Sequence, residues 1–405
     1  MIPRGTLDIP TQTLLAALAR RRSHRLGLYR AWPTECPTVA FASVRSGLDA
    51  VLQASSWPTQ SEVLMSAVNV PHMSQIIRAH GYVPVPLDVD RETLAPLPTE
   101  FESRISERTR AILVAHLLGS RIDLEPFSEI ARRHRIELWE DVAQGFAGDL
   151  RHSSEFADIS FFSFGTIKTR TALGGGLVSF EDSARSVETS SVQERWPMAS
   201  ERDFRRKIRR ALLLKAFETP LLFTAATGIA GLLGINYDAL LSKLTRGYPD
   251  AELITKLRHR PSRAQLDLLH RRVNEINTDS LKSRERIAAL YLEALPPDVL
   301  VGTNVEFPTR WVFPICSSDP TELVRRLRVV GIDATQKASR LAVVTEPDSG
   351  DQSGESRTAA WLSRLVFLPL HPAVRARHVS RIARIVREVE MIGEELEAPI
   401  KLSSA

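Results

Sequence analysis

Short apolar runs alternate with amphipathic stretches through the first half of the chain. The run "VAFA" ends at the small-residue turn Ser46-Gly47, after which "LDAVLQA" takes up a helical period. The segments "EVLMSAV", "YVPVPLDVD", "TRAILVAHLLG" and "IELWEDVA" read as strands, and "PHMSQIIRAHG", "LPTEFESRIS" and "LEPFSEIARRHR" between them as helices. Two further apolar runs follow, "DISFFSF" and "LVSF", separated by a turn that carries Lys168 and the triplet Gly174–Gly176. Strands spaced by short helices predict βαβ units and an α/β fold, with a mostly parallel central sheet covered by helices on both faces. Ligands in such sheets gather at the carboxyl ends of the strands. Gly47, His116, Asp141 and Lys168 all fall there.

The pattern changes on either side of this block. Residues 1–40 read as a leader with one short helix, "TQTLLAALARRR", capped by Thr11 or Thr13. Residues 41–260 form the large domain, and 261–405 a smaller C-terminal α/β domain. In the latter, long helical runs ("AQLDLLHRRVNEINTDSLKSRERIAALYLEAL", "VSRIARIVREVEMIGEELE") mix with short strands ("TRWVFPIC", "SRLVFLPL") and the polar loop "TEPDSGDQSGES". Within the large domain, residues 200–245 stand out as a helical insertion. Six of the ten residues in "ERDFRRKIRR" are Arg or Lys, and "TPLLFTAATGIAGLLGINY" then runs without a charge.

Composition narrows the class. With 405 residues, 43% hydrophobic and 25% charged, the chain can bury a large core as a globular protein. A net charge of +5 spread over this length gives no case for nucleic acid. The two cysteines, Cys36 and Cys316, are far apart, which argues against a disulfide scaffold or a cysteine-ligated metal. The N-terminus lacks the order of regions of a signal peptide, and the expected location is the cytoplasm.

Lys168 lies beyond a strand in surroundings that are nearly all apolar or hydroxyl. A lysine desolvated in this way has a lowered pKa and an amine nucleophilic enough to form a Schiff base. Asp141, at another strand end and with no basic neighbour in sequence, is suited to keep a pyridinium nitrogen protonated. Gln144 is either a surface amide or a donor to a ring oxygen, and Ser163 is a candidate phosphate ligand at the strand end before Lys168. The turn at Ser46-Gly47 before a helix reads either as a plain connection or as an anion site built from free backbone N–H groups.

"WEDVAQGFAG … ADISFFSFGTIKTRTALGGGLVSF" resembles the DegT/DnrJ/EryC1/StrS group of pyridoxal-phosphate-dependent aminotransferases, whose pattern is "EDxAQ", then "FSFxxxK", then "GGxV". "SGLDAVL", "GYVPVPLDVD", "RVVGIDA" and "FLPLHP" are similar to further family elements. The resemblance implies a fold type I transferase that binds pyridoxal 5'-phosphate and forms a homodimer with shared active sites. It implies that Lys168 holds the cofactor covalently and shuttles the proton, that Asp141 pairs with the ring nitrogen, and that Gln144 reaches the ring oxygen. Ala143 would pack under the ring, and Ser163 with the backbone amides of Gly47 and Leu48 would hold the phosphate. Three departures are visible. Leu48 replaces the family's threonine. The ring expected to stack on the cofactor has only His72 as a candidate, with Val70 beside it. Arg258, in "LRHRPS", replaces an asparagine lent across the dimer and would contact the partner's phosphate instead. His116 reads as a strand-end histidine satisfied by its neighbours.

The activity implied is transfer of an amino group from glutamate or glutamine to a keto or aldehyde group of a sugar-like or glycan- or lipid-linked acceptor. A sugar dehydratase of the same group would have histidine in place of Lys168. A non-catalytic sensor or membrane-associated binding protein on the same fold is the alternative that Leu48 and Arg258 motivate. For residues 202–237 two readings stand: a helical pair at an interior or dimer interface, or a basic, apolar hairpin resting on an anionic membrane, which would place the protein peripherally at the inner face.

Overall fold

The computed structural model describes residues 1–19, 32, 36–146, 150, 155–235, 237–238, 252–275, 279–336, 341–344 and 356–397. The strands of the large unit are β1 (Thr38–Phe41), β2 (Glu62–Ser66), β3 (Val68–Asn69), β4 (Val83–Leu87), β5 (Thr109–Ala115), β6 (Glu137–Asp141), β7 (Ile159–Ser163) and β8 (Gly176–Phe180). Seven of them form one sheet in the order β1-β8-β7-β6-β5-β2-β4. Only β8 runs against its neighbours β1 and β7; the other pairings are parallel. Every strand read from the apolar runs up to Phe180 is present, and the sheet is the mostly parallel one expected.

Both sheet faces are covered, and the period-two alternation of the strands sorts residues between them. The helices are α1 (Thr11–Ala19), α2 (Val44–Ser55), α3 (Pro71–Ala79), α4 (Pro98–Ser103) and α5 (Glu125–His134). On one face Val63, Met65, Ala111, Leu113 and Trp139 pack against α2 and α3. On the other, Leu64, Ile112, Val114 and Leu138 pack against Phe101 of α4 and Phe127 and Ile130 of α5. Strands buried on both sides have no polar face to show, which is why they read as continuous apolar runs.

After β8 come α6 (Ser183–Glu194), α7 (Glu201–Ala216) and α8 (Pro220–Leu232). The buried stripe of α7, Phe204, Ile208 and Ala211, packs with Leu14 of α1 and with Leu268, Leu269 and Val273 of the helix Arg263–Asn274. That helix belongs by its packing to the large unit, so the division expected at residue 261 falls after it. The single long helix expected from "AQLDLLHRRV…" is two, Arg263–Asn274 and Asp279–Ala294.

The small unit has its own core. Ile287 and Tyr291 of the helix Asp279–Ala294 pack with Leu323 and Leu327 of the helix Pro320–Val329 and with Ile382 and Val386 of the helix Ala376–Glu397. Strand β9 (Phe313–Cys316) pairs antiparallel with β11 (Leu365–Leu368) beside them, while β10 (Ala342–Val343) crosses back to pair with β3. The loop "TEPDSGDQSGES" lies almost wholly outside the described residues.

The first residues are not a free leader. Ile2 bonds to Gly331 through its N–H at 2.7 Å, Arg4 holds Asp333 at 2.7 Å, and the Pro3 carbonyl accepts from the buried His371 at 2.8 Å. Farther along, the Asp8 carboxylate receives the Arg284 guanidinium and the backbone N–H of Arg170, each at 3.2 Å. This strap therefore joins the small unit to the turn that follows Lys168.

Candidate active site

The first wall of the site is the start of α2. Ser43 caps the helix, its hydroxyl accepting the Ser46 N–H at 3.2 Å. The Gly47 N–H is already bonded to the Ser43 carbonyl at 3.1 Å, and Leu48 is fully buried in the core. The amides of Gly47 and Leu48 thus lie inside the helix and cannot serve an anion, which corrects the expected phosphate contact. The helical pattern starts one turn earlier, and the first-turn N–H groups are those of Val44 and Arg45. Gly47 has another duty: a Cβ there would stand 2.6 Å from Val178 of β8. Gly176 is likewise constrained, since its Cβ would lie 2.5 Å from the Val44 nitrogen. These two glycines let α2 settle against β8 and bring its N-terminus beside the glycine-rich turn.

Arg45 extends from that first turn and donates to His72 Nδ1 at 2.6 Å. His72 is buried near the start of α3, with Val70 as the residue before the helix. The ring predicted to face the cofactor is therefore tied to the phosphate-side wall, with Nδ1 occupied as an acceptor.

The second wall is the end of β6. Asp141 is buried, one carboxylate oxygen accepts the Ala143 N–H at 2.9 Å, and burial pushes its pKa up, with Lys168 and His116 acting in the opposite sense. Ala143 is thus placed directly beside the carboxylate. Gln144 turns its carbonyl to the Leu118 N–H at 3.2 Å, an orientation in which its NH₂ end is the donor to anything in the site. His116 is satisfied as expected. Its Nδ1 accepts the Ile122 N–H at 3.0 Å, so Nε2 carries the proton and donates to Glu140 at 2.8 Å. Burial holds His116 below its ordinary pKa. Burial raises Glu140, but the hydrogen bond and charge of His116, the charge of Arg121 and the hydrogen bond from Ser160 at 2.5 Å together outweigh it and leave the carboxyl below its usual range. This pair sits under the strand ends and holds β5, β6 and β7 together.

Lys168 forms the third wall. Its backbone N–H closes a turn onto the Gly165 carbonyl at 3.0 Å. A Cβ on Gly165 would lie 3.7 Å from both Lys168 Cγ and Ser163 Oγ, so the two side chains flank one small residue. Desolvation pushes the Lys168 pKa down to about 8, Asp141 holds it up, and Arg45 pushes it down again. Lys168 Nζ rests over the Trp311 ring, 4.1 Å from its centroid, while the indole N–H donates to the Ile167 carbonyl at 3.0 Å. Trp311 comes from the segment leading into β9, so the small unit closes the site over the lysine.

The fold brings together Lys168, Asp141, Ala143, Gln144, Ser163, His72 and the start of α2. It does not bring Arg258 among them. That guanidinium grips the buried Asp49 of α2 at 2.9 Å, and Asp49 also meets His80 at 2.8 Å. Within its own chain Arg258 clamps α2, whereas the role expected of it toward a partner's phosphate concerns a second chain. Three residues escaped the sequence reading: Arg45, Glu140 and Trp311. Glu140 sits inside the motif "WEDVAQGFAG" and Arg45 just before "SGLDAVL", whereas nothing local to Trp311 signals its contact with Lys168.

The DegT/DnrJ/EryC1/StrS aminotransferase family signature matches residues 35–199. That segment belongs to the family. Over 154 residues the chain is 33% identical to an L-glutamine:2-deoxy-scyllo-inosose aminotransferase of Streptomyces fradiae, covering 37% of this chain and 36% of the relative. A Micromonospora echinospora protein of the same description matches equally, at 33% over 150 residues and 36% of each chain. The chain thus aligns with little more than a third of these relatives' length. In three dimensions the likeness runs much farther. A putative sugar aminotransferase from Streptococcus pneumoniae superposes with a TM-score of 0.68 at 16% identity, over 98% of this chain and 99% of that one. An aminotransferase of pseudoaminic acid biosynthesis from Helicobacter pylori gives 0.66 at 15%, over 97% and 99%. The fold is that of the fold type I transferases, with the family signature lying over the three walls of the site.

Pyridoxal phosphate fits the residues present. A buried carboxylate whose pKa is raised gains from a cationic ring nitrogen, and a lysine near pKa 8 can supply a free amine. The Ser163 hydroxyl and the first-turn N–H groups of α2 provide donors for a phosphate.

Proposed function

We propose that the protein is a pyridoxal-phosphate-dependent aminotransferase that moves an amino group from glutamate or glutamine to a keto or aldehyde group of a sugar-like acceptor. The observation that carries this reading is Lys168, with its pKa brought to about 8 and buried Asp141 near enough to act on its charge. The bound cofactor supplies an electron sink for the bond broken at the substrate carbon. Asp141 keeps the ring nitrogen protonated from its buried position. Lys168 Nζ, with its pKa near 8, would hold the cofactor covalently and, once freed as an amine, would take the proton from the donor's α-carbon and pass it to the cofactor side rather than back to that carbon. Gln144 donates from its NH₂ end, and Trp311 holds the released ammonium in place. Names of the relatives that include glutamine as donor and an inosose or a sugar as acceptor support the substrate class.

The dehydratase alternative lacks support because the position concerned is a lysine. The non-catalytic alternative loses part of its motive: Leu48 is a core residue of α2 and takes no part in the site. Two copies sharing their sites remain part of the proposal through the family. Purified protein reconstituted with pyridoxal phosphate should turn yellow, and glutamine or glutamate should convert that absorption band. A protein that takes up the cofactor but leaves the band unchanged with every amino donor would refute the transaminase reading.

A further inference from the structure

Helices α7 and α8 are bent by 99° at the break between them, and no single described helix is long and apolar enough to cross a membrane. Helical spacing puts Arg202, Arg206, Arg209, Arg210, Leu213 and Phe217 on one side of α7 and its continuation. All six are exposed, and the opposite side, Phe204, Ile208 and Ala211, is the one that packs on the body. The outward stripe therefore grades from guanidinium to hydrocarbon as it approaches the bend. Beyond the bend the hydrocarbon continues. Leu221 is 85% exposed and Leu232 88%, and Leu222, Ile229, Leu233 and Ile235 are exposed with them. The stretch from Thr219 to Tyr237 contains no charged residue that would solvate this surface. Only Phe223 and Ala230 of α8 are buried.

We infer that the α7–α8 elbow docks on an anionic lipid surface, with the four arginines at the phosphate level and the exposed leucines and isoleucines of α8 in the acyl boundary. Charge complementarity selects this occupant: Arg206 already pairs with Asp203 at 2.9 Å, but a second copy of the chain would bring its own Arg202, Arg209 and Arg210 to the same face, whereas anionic headgroups neutralise them. A flat apolar helix flanked by guanidiniums is the arrangement by which interfacial helices bind, each basic group strengthening attraction to acidic lipid. A bend near a right angle suits a shallow entry and excludes a straight span. The inference is independent of the transaminase reading, because no residue of the site takes part.

Flotation of the full-length holoprotein with liposomes tests it. Vesicles of phosphatidylcholine with a quarter phosphatidylglycerol should carry the protein up at low salt, and pure phosphatidylcholine should carry much less. Raising salt to 1 M should release it, since screening then acts within a few ångströms. Replacing Arg202, Arg206, Arg209 and Arg210 with Gln should weaken partitioning on the order of 100-fold, and Leu221→Ser/Leu232→Ser/Leu233→Ser should abolish it. Both variants should keep the cofactor spectrum and half-reaction of the parent, which separates a docking defect from a folding defect. Wild-type protein that stays at the bottom with acidic vesicles would overturn the inference. So would serine variants that float like the parent, or that instead split a stable dimer into monomers in sedimentation equilibrium, which would make this face a contact between copies.

Discussion

Residues 137–180 and the α7–α8 elbow follow one another along the chain and handle polarity in opposite ways. In the first, buried polar groups are given work: Glu140 takes His116 and Ser160, Asp141 takes the Ala143 amide, and half-buried Lys168 lies over Trp311. In the second, apolar groups are left in water, Leu221 and Leu232 almost completely. Both are departures from the ordinary rule of apolar inside and polar outside, and both mark surfaces kept ready for something else. The difference lies in what a substitution should do. A change in the cradle should alter chemistry or stability, and a change on the elbow should alter neither.

The sharpest test is Lys168→Ala. It should lower the half-reaction rate with an amino donor by roughly 10³-fold or more, because nucleophile and proton shuttle disappear together, while circular dichroism stays that of the parent. Next is Gly47→Val, which drives a branched side chain into Val178. It should cost about 1–3 kcal/mol in denaturant unfolding, as overpacking does. An unchanged midpoint would show that α2 and β8 are not locked as described.

A third test uses pH. Burial depresses the folded-state pKa of His116, so the unfolded chain binds the proton more readily. Glu140, also held below its usual range, acts in the same direction. Stability should therefore be fully present above the ordinary histidine pKa near 6.5 and fall as pH drops through it. Thermal unfolding at pH 5 and 7.5 would show this, and His116→Gln should flatten the slope above pH 5.

Smaller effects are expected from Trp311→Leu. Removing the ring from beneath the ammonium takes away a favourable contact of about 0.5–1 kcal/mol. The midpoint for cofactor capture, expected near pH 8 from Lys168, should move down by roughly half a unit. A shift upward would mean that the indole mainly desolvates the amine. The smallest effect is that of Leu221→Ser, which should stay within about 0.5 kcal/mol of the parent in unfolding. A larger loss would mean that α8 is part of the core and differs little from the cradle in what its side chains do.

Much of the cradle could be read before any coordinates. The strands between the sheet edges are buried on both sides, so they stand out as apolar runs, with Asp141 at the end of one and Lys168 in the turn beyond another. What could not be read depended on contacts between distant parts of the chain. Trp311 reaches Lys168 only because the small unit folds back over the sheet. Asp49 carries no local signal of its role, and its partner Arg258, some two hundred residues on, is set by the placing of α2. The start of α2 was misread for a local reason. Both Ser43 and Ser46 are able to cap, and it is Ser43 that does, its hydroxyl accepting the Ser46 N–H.

The strap at the N-terminus has a mechanical side. From Ile2 to Asp8 it is already tied at both ends, to Gly331 and Asp333 in the small unit and to Arg170 beside the lysine turn. A chain of this length cannot stretch beyond about 3.5 Å per residue. Any swing that opens the small unit away from the sheet must therefore pull on the turn after Lys168 or break the ties. The range of domain opening and the placement of the reactive amine are then a single variable.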